Sequence, residues 1–334
     1  MTAPIAISMG DPAGIGPEII AKAWKARRKA GLSPFFAIGD PRAIETLGIC
    51  PVWAISDPSE AGGQFGKALP VLTLSDTALS EPGTPCVHGA RSALMALEMG
   101  VGLTRSGAAC ALVTGPVSKA RLYSIGFSHA GQTEFVAERC GVSPDNAVMM
   151  LAGPSLRVVP ITTHVPLASV SELLSVELLV ARGLSTARGL RKNFGIEDPR
   201  LAFAGFNPHA GEEGAIGREE VDIIRPAIER LKSEGIDASG PFAADTMFHP
   251  RARATYDAAL CCYHDQALIP LKTLHFDEGV NITLGLPIVR TSPDHGTAFD
   301  IAGKGIAEPG AMIAAIKMAG EAAARRAKTT GTAK

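Results

Sequence analysis

Short apolar runs alternate along the chain with longer stretches of helical period. The runs "APIAISMG" (3–10), "FFAIGD" (35–40), "ACALVTG" (109–115), "LRVVPITTH" (156–164), "RLAFAGFNPH" (200–209) and "DAALCCYHD" (257–265) predict buried strands. Between them, "GPEIIAKAWKARRKAG", "HGARSALMALEMGVGL", "QTEFVAERCG", "SVSELLSVELLVARGLSTARGLRKNFG" and "VDIIRPAIERLKSEG" space Leu, Ile, Val and Ala as helices do, and several close on a glycine. The Ala-rich "GAMIAAIKMAGEAAARRAK" predicts a final helix. This alternation predicts an α/β protein with a mostly parallel sheet. The segment from Asp57 to Gly89, rich in Gly, Pro and Ser, reads as a surface excursion with room for a short hairpin.

A chain of 334 residues suggests two domains. A net charge of −1 offers neither a nucleic-acid surface nor a polybasic membrane anchor, and the basic run Lys25 to Lys29 reads as a solvated helix face. Cys50, Cys86, Cys110, Cys140, Cys261 and Cys262 form no C-x-x-C pair, so they read as small buried hydrophobes in a reducing compartment. No signal peptide and no membrane span is legible, and a cytoplasmic location is expected.

Candidate chemistry lies at strand ends. His164, His209 and His264 each follow a predicted strand, and ligands of parallel α/β sheets bind outside the carboxyl ends of strands. Three neutral imidazoles suit Zn²⁺ or another divalent transition metal; alternatively, each His caps its strand with a local hydrogen bond. Asp265 follows His264, Asp245 lies in "GPFAADTMFH", and Lys272 stands in an apolar stretch where burial is costly without a partner. Arg290 ends "LGLPIVR"; it and Lys272 suit an anionic ligand if they converge and are otherwise surface charges. The first turn, "MGDPAGIGPEII" (9–20), lacks both the dinucleotide fingerprint and a P-loop lysine. Its N–H groups are candidates to meet an anion. The run from Asn281 to Gly305, "NITLGLPIVRTSPDHGTAFDIAGKG", is either a surface loop or one shaped around a ligand.

Taken together, "GDPAGIGPE", "VTGPVSK", "GQTEF", "FNPHAGE", "ADTMF", "YHDQALIPLK" and "FDEGVNITLGLPIVRTSPDHGTAFDIAGKG" span positions 10 to 305 and resemble the 4-hydroxythreonine-4-phosphate dehydrogenase family of pyridoxal phosphate biosynthesis. The opening and closing stretches also resemble the wider isocitrate/isopropylmalate dehydrogenase group. The resemblance implies two α/β/α domains with a mostly parallel sheet and a cleft between them. Both chain ends (1–125 plus 275–334) would form the cofactor-side domain, and 126–274 the metal-binding, dimerising one.

The same resemblance implies metal ligands at His164, His209 and His264, with Zn²⁺ expected and Mg²⁺ or Co²⁺ as alternatives. It implies substrate contacts at Thr133, Lys272, Asn281 and Arg290, with Gln132 standing where many members carry a His. Gln cannot carry a proton at neutral pH, which leaves substrate identity more open. His295, Gly296, Ala298 and Asp300 would clamp NAD or NADP, and the catalytic base would be Lys272 or Asp245. The family's active site lies at a homodimer interface, with metal ligands from both subunits. The expected reaction is oxidation and decarboxylation of 4-phosphooxy-L-threonine. Alternatives are a paralogous dehydrogenase of threonate or erythronate 4-phosphate or of a cis-dihydrodiol, and, more distantly, a phosphotransacetylase-like acyltransferase.

Overall fold

The computed structural model describes residues 3–331, apart from 76, 78, 144 and 145. Its strands are β1 (Ile5–Ser8), β2 (Phe35–Gly39), β3 (Val52–Ile55), β4 (Leu69–Thr73), β5 (Ala111–Thr114), β6 (Val148–Ala152), β7 (Arg157–Pro160), β8 (Arg200–Ala204), β9 (Asp237–Phe242), β10 (Ala258–Cys261), β11 (Val280–Leu284) and β12 (Arg290–Pro293). The chain forms two compact units, Met1–Val142 with Leu286–Ala324 and Ser143–Gly285 with Arg325–Lys334. These divisions fall beyond the expected 125/126 and 274/275. The helix Gln132–Arg139 is tied to the first unit, through Gln132 to Gly115 and Arg139 to Glu98, while β11 pairs with β6 in the second.

In the first unit the strands run in the order β3-β4-β2-β1-β5-β12, all parallel. Strands β1, β2 and β5 are buried at every position, which explains why they read as unbroken apolar runs rather than alternating ones. The helix Val87–Ser106 packs on β1, β2 and β5, and Gly100 makes the approach possible: a Cβ there would lie 2.7 Å from Leu112. The segment 57–89 departs from its reading. It contains β4, an interior strand parallel to both β2 and β3, and no hairpin among its described residues. Pro70 inside β4 and the glycines before it made a sheet strand look like loop.

The helix Gly16–Ala30 starts with Pro17 in its first turn and ends at Gly31, whose φ of 64° lets its N–H reach the last carbonyls. Glu18 in that first turn is 1% exposed. Its carboxylate pairs with Lys22 at 2.9 Å and accepts the N–H groups of Gly305 and Ala307 at 3.3 and 2.9 Å. Lys22 in turn donates to the Gly305 and Ala307 carbonyls. One ion pair thus pins the far end of the "DIAGKG" loop to the first helix.

In the second unit the order is β11-β6-β7-β10-β8-β9. Strand β6 is antiparallel to β11 and β7, whereas β7, β10, β8 and β9 are parallel, so their carboxyl ends share one edge. Leu151, Val158, Ala202, Ala259, Cys261, Leu268 and Leu271 form a core between strands and the helix His264–His275. The long apolar-periodic stretch after Pro166 breaks at Ser175, which caps the helix Val176–Gly189 by accepting the Leu178 N–H. Among the described residues no helix is long and apolar enough to cross a membrane, and all six cysteines are free thiols.

Replacing Glu18 by Ala leaves Lys22 and two backbone donors without their buried acceptor. The expected cost is about 2–3 kcal/mol of stability, read as a lower urea midpoint with unchanged slope.

Candidate active site

The first unit holds a buried cation whose side chain reaches the last residue of β5. Arg290, at the start of β12, is 3% exposed and donates to Thr114 Oγ1 at 2.7 Å and Thr133 Oγ1 at 3.2 Å. Burial lowers its pKa to about 10, partly countered by Glu134, so it stays cationic at neutral pH. Beside Thr133, the Gln132 amide donates to the Gly115 carbonyl at 3.2 Å, which fixes its orientation. The Gln132 Oε1 atom is then a buried acceptor without a hydrogen-bond partner. A fixed cation, two hydroxyls and an idle acceptor are the groups an anionic, hydroxyl- or amine-bearing ligand needs. Thr114 was not foreseen; its position at the last residue of a buried parallel strand was the available signal.

The loop bearing His295, Gly296, Ala298 and Asp300 rests on the first glycine-rich turn. The Thr297 carbonyl accepts the Ile15 N–H at 2.9 Å, and a Cβ on Gly14 would lie 2.9 Å from that carbonyl oxygen. The N–H groups of Ala13, Gly14 and Ile15 are therefore spent on Asp11 and Thr297, not held out for an anion as that turn first suggested. His295, Gly296 and Asp300 are exposed. A Cβ on Gly296 would meet nothing within 4 Å, and Ala298 takes a φ of 42°, a left-handed conformation rare for a residue with a side chain. An open backbone face beside an imidazole and a carboxylate suits a nucleotide cofactor.

In the second unit, His164, His264 and His209 follow β7, β10 and β8, neighbours in the sheet. The His164 and His264 rings lie 5.7 Å apart, centroid to centroid, at a cavity that Thr162, Val165, Tyr263 and Asp265 also line. His264 Nδ1 sits 2.7 Å from Asp265 Oδ1; with that nitrogen donating, Nε2 is left as a lone pair. Burial pushes the Cys261 and Cys262 thiols well up, so neither adds a thiolate to this edge. The donors present are imidazoles, which fit a divalent transition metal. Among the described residues of the chain, no group of three or more His, Cys, Asp and Glu is placed to hold a metal ion, so His209 does not complete the pair within one chain.

His209 opens a turn that few sequences adopt. Residues His209, Ala210, Gly211, Glu212 and Glu213 have φ of 53°, 53°, 77°, 45° and 58°, a left-handed turn with four side chains in it. Each such residue costs roughly 1–2 kcal/mol, so the surroundings must impose it. The neighbours include Glu220, 0% exposed, whose carboxylate accepts the Asn207 backbone N–H at 2.7 Å and side-chain N–H at 2.9 Å. Glu220 was not foreseen. The signal was there: Glu220, Ile224, Ile228 and Leu231 fall on one helical stripe, and all four are buried.

Of the other foreseen residues, Lys272 is half-buried, two turns beyond His264 on the same helix. Asn281 lies on β11, and its Oδ1 is a second buried acceptor lacking a hydrogen-bond partner. Asp245 is exposed on a short turn, Ala244–Thr246, that packs against the His209 turn.

Two α/β units, one with a buried arginine that reaches the end of β5 and one with paired imidazoles, are the framework of an α/β enzyme. The chain belongs to the family described as pyridoxal phosphate biosynthetic protein PdxA, which matches residues 33–319. It is 58% identical over 323 residues to a 4-hydroxythreonine-4-phosphate dehydrogenase of Zymomonas mobilis, covering 97% of this chain and 96% of that one. It is 57% identical over 329 residues to the enzyme of the same name from Erythrobacter litoralis, covering 97% and 98%. The crystal structure of 4-hydroxythreonine-4-phosphate dehydrogenase from Klebsiella pneumoniae superposes with a TM-score of 0.86 at 36% identity, covering 96% of this chain and 99% of that one. The family is one of oxidoreductases and implies a nicotinamide cofactor and a divalent metal.

Because the Arg290 fork serves two threonine hydroxyls from a fixed buried position, lysine should not replace it. Both Arg290→Lys and Arg290→Ala should lower kcat/KM by roughly 100-fold, or about 3 kcal/mol, mainly through KM. A lysine variant with wild-type KM would show that the fork is not used.

Proposed function

We propose that this chain catalyses the NAD- or NADP-dependent oxidation of 4-phosphooxy-L-threonine with decarboxylation to 3-amino-2-oxopropyl phosphate, a step of pyridoxal 5'-phosphate biosynthesis in the cytoplasm. The observation that carries this reading is the single carboxyl edge on which β7, β10 and β8 present His164, His264 and His209. Its support from similarity is the run of relatives named for this activity.

His164, His209 and His264 are the residues that would hold the metal, with Zn²⁺ the best match to three imidazoles and Mg²⁺ or Co²⁺ the alternatives. Two of the three meet within one chain and the third does not, which favours a homodimer in which a second copy brings its His209. His295, Gly296, Ala298 and Asp300 would hold the nicotinamide cofactor along the exposed loop. When bound, the metal supplies Lewis-acid polarisation of the substrate alcohol and the nicotinamide supplies the hydride acceptor.

The chain's own groups do the rest. Lys272 takes the alcohol proton, with Asp245 as the alternative base. Arg290, with Thr133 and Gln132, binds an anionic end of the substrate. The idle acceptors Gln132 Oε1 and Asn281 Oδ1 meet its N–H or O–H groups. Loss of the proton and hydride yields a β-keto acid, whose carboxylate then leaves readily as CO₂. Because Gln132 does not titrate, this part of the substrate contact should be insensitive to pH between 5 and 8, unlike one made by His.

His209→Ala should abolish turnover while circular dichroism and the unfolding midpoint stay at wild-type values. Turnover near normal after exhaustive chelation would contradict the metal's role. Lys272→Ala should reduce kcat by about 100-fold or more with cofactor affinity little changed. The reverse ranking would move Lys272 to the cofactor.

A further inference from the structure

We infer that Glu220 is a positioning residue for His209: its buried carboxylate, acting through Asn207, sets the left-handed turn that aims the imidazole. The inference rests on the reading of His209 as a metal ligand and adds what makes it one.

The turn Pro208–Gly214 begins directly after Asn207. Glu220 Oε1 accepts the Asn207 main-chain N–H at 2.7 Å, and Oε2 accepts the Asn207 side-chain amide at 2.9 Å. Glu219 Oε2 accepts from the same amide nitrogen at 2.7 Å, so both amide protons point at carboxylates and the Asn207 side chain has one orientation. Three glycines keep the space open. A Cβ on Gly211 would lie 2.5 Å from Glu220 Oε2, one on Gly205 would lie 2.8 Å from the Ala210 Cα, and one on Gly217 would lie 2.3 Å from the Asn207 amide nitrogen. A fully buried carboxylate gripping backbone and side chain of one residue fixes the direction in which the chain enters the turn. His209 is the second residue beyond that grip.

The same end of β8 is registered to the His264 strand. Gln266 donates to the Gly205 carbonyl at 2.8 Å and accepts the Cys262 N–H at 2.7 Å. Glu220 therefore holds the one histidine segment whose backbone is left-handed, against an end already fixed to its neighbour.

Glu220→Gln preserves the shape but turns an amide donor toward the donor of Asn207, which cannot flip without setting its oxygen against Glu219. The test is Co²⁺ or Zn²⁺ binding to the full-length protein, followed by calorimetry and the visible Co²⁺ spectrum, with His209→Ala as reference. E220Q should fold and weaken metal affinity about 10- to 100-fold, as outer-shell changes do, and should alter the Co²⁺ spectrum. Wild-type affinity in a folded E220Q, alongside a His209→Ala variant that has lost the metal, would overturn the positioning role while leaving the metal reading standing. Equal binding by wild type and His209→Ala would instead remove the metal reading itself, and this inference with it. If E220Q does not fold, Asn207→Ala, which keeps the main-chain N–H to Glu220, decides by the same affinities: weakened binding supports the clamp and unchanged binding refutes it.

Discussion

Hydrogen bonds that lace together the ends of β7, β10 and β8 are the constraint on which the chemistry depends. Thr162 sends both its N–H and its hydroxyl to the Cys262 carbonyl, and Gln266 joins the Cys262 N–H to the Gly205 carbonyl. Each of these residues lies a few positions from a histidine. Backbone groups at strand ends have lost their ladder partners and must be satisfied when buried. Here, satisfying them also registers the three segments that lead into His164, His264 and His209. Tied strand ends limit how these histidines are presented: His164 and His264 meet within one chain, and His209 does not join them there.

The same economy appears in the first unit. The N–H groups of the glycine-rich turn are taken up, those of Ala13 and Gly14 by Asp11 and that of Ile15 by the Thr297 carbonyl of the loop that carries His295 and Asp300. Glu18 and Lys22 secure the other end of that loop, with Gly305 287 residues from Glu18 in sequence. Two stretches that look like separate motifs are one structure, in which the first is the seat of the second. Arg290 follows this logic as well, buried and held by threonine hydroxyls so that its charge faces one direction.

The sequence made much of this legible because a parallel sheet buried on both faces writes unbroken apolar runs, and because such a sheet gathers ligand-binding groups at one edge. The six runs that were read became β1, β2, β5, β7, β8 and β10, and the histidines followed three of them. Strand β4 escaped because Pro70 sits inside it, and β9, "DASGPF", because its buried positions are few and its glycine and proline suggest a turn. The left-handed turn at His209 was not legible, since only one of its five residues is glycine. Glu220 was signalled only by its place on the buried stripe with Ile224, Ile228 and Leu231, because the partner it grips, Asn207, lies thirteen residues earlier.

The account's central claim is tested most directly by X-ray absorption at the edge of Zn²⁺ or Co²⁺ bound to the full-length protein. It predicts one ion per histidine trio, with a first shell containing three imidazole nitrogens at about 2.0–2.1 Å and no sulfur. A shell of oxygen alone, or one unchanged when His209 is replaced by Ala, would contradict it.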